Sequence, residues 1–86
     1  MSNRVTYPMP TVLRVGPYRF FFVALDYTEP PHVHVNRENM VAKFWLETIV
    51  LRRTGGFSRT ELNRIAELVR ENREYLLERW YEFFGH

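Results

Sequence analysis

Hydrophobic and polar positions change their rhythm once along this chain, close to Gly55-Gly56. Before that pair, apolar residues alternate with polar ones or gather in short aromatic blocks. After it they recur every three or four residues. A period of two belongs to strands and a period near 3.6 to helices. The pattern therefore predicts an α+β fold: an antiparallel sheet of four to five short strands, followed by one long C-terminal helix packed on it.

Taken in order, Thr11 to Val15 reads as a short strand with Val12 and either Leu13 or Val15 facing inward. Gly16-Pro17 is a turn dipeptide. Tyr18 to Tyr27 carries the strongest strand signal, and Phe20, Phe21 and Phe22 leave both of its faces apolar. Asp26 to Pro31 is a loop whose closing proline pair holds the backbone extended. His32–Asn36 and Met40–Leu46 then pair as a hairpin across a polar turn. In Pro31-His32-Val33-His34-Val35 the valines point to one face and the histidines to the other. If Val33, Val35 and Phe44 line the core, Lys43 and Trp45 share the histidine face; a slip of one residue would reverse this. Thr48 to Arg53 is either a further strand or an irregular edge.

Ser58-Arg59-Thr60-Glu61 matches a capping box, with Phe57 placed to staple against Leu62. Leu62, Ile65, Val69, Leu76, Trp80 and Phe83 form an apolar stripe. A straight helix from Ser58 to Phe84 would be roughly 40 Å long, longer than so small a sheet is wide. Asn72 and Arg73 interrupt the stripe. Either the helix bends there, or its outer half, with Leu76, Trp80 and Phe83, overhangs and is covered by a second copy or a partner.

Composition narrows the picture. Eighty-six residues make one small domain, read here as residues 9–86 behind an extension at 1–8. Seven Phe, five Tyr and two Trp give a short chain bulky material for its core. The absence of cysteine rules out disulfides and thiolate metal sites, and suits a reducing compartment. No apolar run approaches the about 20 residues of a membrane span, so a cytoplasmic protein is expected. The formal net charge of +2 is too small to imply nucleic acid by itself.

The histidines carry the candidate chemistry. Residues i and i+2 on a strand lie about 6.6–7 Å apart, so His32 and His34 could reach one metal ion. A stable site wants a third ligand; Glu29 is the nearest, Glu47 more distant, and His86 lies near the end of the chain. A second reading is a metal-independent ribonuclease, with His32 and His34 as base and acid and Arg19 and Lys43 as cations for the phosphate. A third is a binding face without turnover, formed by the histidines, Glu29 and Trp45, with Trp80 on the helix as a further contact. No cofactor is expected.

Met9-Pro10-Thr11-Val12-Leu13-Arg14, Gly16-Pro17-Tyr18-Arg19-Phe20-Phe21-Phe22, Glu29-Pro30-Pro31-His32-Val33-His34-Val35, Ala42-Lys43-Phe44-Trp45-Leu46 and Gly56-Phe57-Ser58 together resemble the bacterial domain-of-unknown-function family 4160. Glu61-Leu62, Ile65, Leu68-Val69, Glu71-Asn72 and Trp80 extend the resemblance to about residues 9–85. The family is usually more polar over Ala24–Thr28, and no role is assigned to that loop. Family members resemble components of toxin–antitoxin-like pairs, often beside a small protein of domain-of-unknown-function family 2442. The resemblance implies a small bacterial interaction protein whose partner is the other member of a two-gene pair, with the histidine strand face as working surface. RNA is the alternative partner, and a homo-oligomer through the C-terminal helix the alternative assembly.

Overall fold

The computed structural model describes residues 11–86; the extension read at residues 1–8 lies outside them. Five antiparallel strands follow one another across a single sheet in chain order: β1 (Thr11–Val15), β2 (Tyr18–Phe21), β3 (His32–Arg37), β4 (Met40–Trp45) and β5 (Val50–Arg53). Two helices follow, α1 (Arg59–Glu71) and α2 (Arg73–Phe84). The expected α+β class holds, and within Thr48–Arg53 the residues Val50–Arg53 form an edge strand.

The β3–β4 register sets His32 opposite Trp45, Val33 opposite Phe44 and His34 opposite Lys43, as the hydrophobic alternation required. Val33, Val35, Ala42, Phe44 and Leu46 are fully buried with Phe20, under Ile65, Leu68 and Val69 of α1. Opposite residues share a face of the sheet, so His34, Lys43 and Trp45 stand on the other side. On β2, Arg19 pairs with Asn36 and Phe21 with His34, which places Arg19 and Phe21 there too.

β2 is shorter than its sequence suggests. Its pairing with β3 ends at Phe21, and the chain then turns through a short 3-10 helix, Ala24–Asp26. Strand propensity at Phe22 and Val23 is overridden by tertiary packing. Phe22 is buried instead against Trp80, ring centres 5.3 Å apart and edge to face.

The predicted single helix is two. Asn72 (φ −109°, ψ 15°) breaks it, and its side-chain amide donates back to the Leu68 carbonyl at 2.9 Å. Arg73 then donates to the carbonyls of Leu46 and Glu47, at 3.0 and 3.1 Å, tying α2 to the β4–β5 turn. The bend folds the outer half of the stripe onto the chain's own core, where Leu76 and Trp80 are 0% and 1% exposed. These two residues therefore need no second copy to cover them; Phe83 remains partly exposed.

Ser58 accepts a hydrogen bond from the Glu61 amide at 3.2 Å, one half of the expected capping box. The other half is replaced. Glu61 turns away from the cap to take a two-pronged bond from Arg37 of β3 and a bond from the Tyr18 hydroxyl at 2.8 Å. The Arg37 and Tyr18 bonds hold the Glu61 carboxyl below its ordinary pKa. A carboxylate with a depressed folded-state pKa stabilises the fold above its unfolded pKa, and that stabilisation is lost as pH falls through the folded value. Urea unfolding of Glu61→Gln should therefore show a lower midpoint than wild type at neutral pH. The difference should shrink as pH falls from about 5 towards 2.

Candidate functional site: an aspartate shared by two histidines

The two prolines before β3 place the first histidine. Leu46 donates to the Pro31 carbonyl at 3.0 Å, extending the β3–β4 ladder backwards, while the Pro30 carbonyl turns towards the His32 ring. His32 Nδ1 lies 2.9 Å from that carbonyl oxygen. The ring is fully buried, with Trp45 edge-on at 5.7 Å and Trp80 of α2 at 5.0 Å between ring centres. The sequence reading made His32 part of a working surface; Trp80 instead closes over the ring. His34 is only partly covered and stacks on Phe21 at 5.2 Å.

The 3-10 helix after β2 delivers the group that organises both rings. Asp26 Oδ2 lies 2.8 Å from His32 Nε2 and 3.1 Å from His34 Nε2. Burial alone would raise the Asp26 pKa, but the two imidazole bonds outweigh it and hold the carboxyl below its ordinary value. Burial also dominates at His34, pushing its pKa below the ordinary imidazole value despite the Asp26 bond. His34 is accordingly neutral at pH 7.

His32 has an acceptor against each nitrogen: the Pro30 carbonyl at Nδ1 and the Asp26 carboxylate at Nε2. The carbonyl can only accept, so Nδ1 carries a proton. Nε2 then meets the carboxylate oxygen through either a second proton or another cation. A neutral ring alone would set a lone pair against a lone pair.

Around this pair, Lys43 donates to Glu29 Oε1 at 2.6 Å and lies over the Trp45 ring at 5.1 Å. Arg19 donates to Thr11 Oγ1 at 2.6 Å and covers the Phe21 ring at 4.4 Å. The structure thus brings together His32, His34, Lys43, Glu29 and Trp45, with Arg19 joined through Phe21 and Trp80 packed on His32. Glu29 is not the third ligand expected of it. Its Oε1 is 3.8 Å from His32 Nδ1, a nitrogen already bonded to Pro30, and its charge is held by Lys43. Neither expected alternative, Glu47 or His86, belongs to the ligand cluster found among the described residues, which is Asp26, His32 and His34; His86 donates instead to the Tyr27 carbonyl at 2.9 Å.

Asp26 is the residue that sequence reasoning missed. The only signal was an acid six and eight positions ahead of the two histidines, where the strand reading ends and the loop reading begins. A cleft of about 600 Å³ beside the loop is lined by Tyr27, Pro30, Pro31, Trp80 and Tyr81 and includes none of the three clustered residues.

The model of one family, described as a domain of unknown function (DUF4160), matches residues 18–81. The chain belongs to that family. The match spans β2 to α2, so the Asp26 loop and the histidine strand both fall inside the family's own domain. No curated protein and no solved structure matches the chain. Among the described residues, no helix is long and apolar enough to cross a membrane.

Proposed function

We propose that this protein is the interaction component of a two-gene, toxin–antitoxin-like pair, and that the sheet face turned away from α1 is its docking surface for a small acidic protein partner. One observation carries the reading. The face carries planar rings already held in place: Arg19 lies over Phe21 and Lys43 over Trp45, and the His34 ring stacks on Phe21. Binding hot spots are enriched in tryptophan, tyrosine and arginine, and rings ordered in advance lose little entropy on association. The partner is acidic because the register sets Arg14 beside Arg19 and brings Arg53 to the neighbouring edge, which gathers arginines along the strands of this face.

The metal-independent ribonuclease draws less support. An acid–base pair must reach its substrate, yet His32 has no exposed surface and both of its nitrogens are engaged inside the protein. Lys43, the expected phosphate cation, is nine-tenths buried and held by Glu29.

Co-purification with the product of the adjacent gene, followed by titration calorimetry, tests the docking reading. Trp45→Ala should weaken the complex by about 2 kcal/mol or more, and Arg19→Ala by a smaller, salt-dependent amount. Unchanged affinity in both variants would remove this face as the docking surface. RNA cleavage by the purified protein that His34→Ala abolishes would replace the reading with the enzymatic one.

A further inference from the structure

We propose that Asp26 Oδ2, His32 Nε2 and His34 Nε2 bind one divalent transition-metal ion of the zinc type. This inference is independent of the docking surface. The three residues each offer a ligand atom, all within 4.8 Å of one another. Zinc bonds of about 2.0–2.2 Å in a tetrahedral array put neighbouring ligand atoms about 3.3–3.5 Å apart. The present Asp26–His32 and Asp26–His34 separations, 2.8 and 3.1 Å, need to widen by only about half an ångström to fit.

The surroundings fit an ion as well as the ligands do. A ligating histidine characteristically donates its other ring N–H to a backbone carbonyl or a carboxylate, which fixes the tautomer and aims the lone pair. His32 Nδ1 has this partner in Pro30, so its Nε2 lone pair points at the position an ion would take. The cation needed between that lone pair and the Asp26 carboxylate is then the metal. Glu29 holds Lys43, so the Asp26 carboxylate is met by the two imidazoles rather than by an ammonium. Two nitrogens and one carboxylate oxygen suit zinc, cobalt, nickel or iron better than calcium or magnesium, whose ligands are oxygens. The Asp26 and His34 side chains are 22% and 12% exposed, so the ion is reached from their side and a water completes its shell there. His32, at 0%, forms the closed wall.

Calorimetric titration of chelator-treated full-length protein with Zn²⁺, repeated with Co²⁺ and read by absorption, tests the site. One equivalent should bind, with the visible bands of a four- or five-coordinate Co²⁺ ion. The substitution Asp26→Asn keeps the shape of the side chain and should weaken binding by at least about 100-fold, as should His34→Ala. Glu29→Gln and His86→Ala should change affinity by no more than a few-fold. Amide NMR spectra of each variant establish that it is folded. The proposal is overturned if folded wild type binds neither ion. It is equally overturned if Asp26→Asn binds as tightly as wild type, or if His86→Ala, rather than His34→Ala, abolishes binding.

Discussion

Trp80→Ala is expected to lower the stability of this domain by about 3–5 kcal/mol, the cost of truncating a fully buried tryptophan. Trp80 is 1% exposed and wedged among Phe22, Phe84 and His32, with ring centres 5.3, 4.1 and 5.0 Å away. Its removal opens a cavity and uncovers a buried imidazole whose hydrogen bonds would then compete with water. Domains of this size have only about 5–15 kcal/mol in all. Each kcal/mol moves the melting temperature by about 4–8 °C, so thermal unfolding should show a fall of at least about 12 °C. The same variant separates packing from assembly. If Trp80 served a contact between copies, sedimentation would change while the urea midpoint stayed put. A lowered midpoint with an unchanged sedimentation coefficient is the outcome expected from the bend at Asn72.

The second large effect is expected at Gly55, in the loop that carries the chain from β5 to α1. Its φ is +66°, a region costing other residues about 1–2 kcal/mol. Space is the harder constraint. A Cβ there would lie 2.0 Å from the Val41 carbonyl oxygen and 2.4 Å from its carbon. Both are backbone atoms of β4 that no rotamer change can move, and overpacking of this kind adds about 1–3 kcal/mol. Gly55→Ala should therefore cost about 2–5 kcal/mol in urea unfolding. Gly85→Ala is the matched comparison, with φ +80° and nothing within 4 Å of the added carbon. It should cost no more than the conformational part. Equal losses at the two glycines would show that backbone conformation alone, and not the approach of β4, makes Gly55 necessary.

The sheet was legible because its signals are local. Alternation in His32–Val35 and in Ala42–Leu46 could be satisfied by one register only, once Val33, Val35 and Phe44 were assigned to the core, and that register set His34 against Lys43 and His32 against Trp45. What stayed hidden depends on contacts distant in sequence. The stripe is interrupted at Asn72 and Arg73, which left a bend and an overhang both open; nothing in its periodicity says that Arg73 will reach back to the carbonyls of Leu46 and Glu47 and decide for the bend. Glu61 looked like the acid of a capping box because Ser58 precedes it by three; Arg37, 24 residues away, took it instead. Asp26 was masked by its own neighbours, since it falls where the strand read over Tyr18–Tyr27 overlaps the loop read over Asp26–Pro31. Only the end of β2 pairing at Phe21 frees Ala24–Asp26 to turn and place the carboxylate between the rings. The histidines were visible as a pair, but the residue that makes them a site was not.

The central claim is that His32 and His34 act together through Nε2, with His32 held in one tautomer by Pro30. Long-range proton–nitrogen NMR of the imidazoles reports both nitrogens of each ring directly. In the metal-free protein His32 Nδ1 should be protonated. One equivalent of Zn²⁺ should shift the Nε2 resonances of His32 and His34 together and leave His86 in place. A His32 ring with a bare Nδ1, or Zn²⁺ that moves His86 while both strand histidines stay unchanged, would contradict the account.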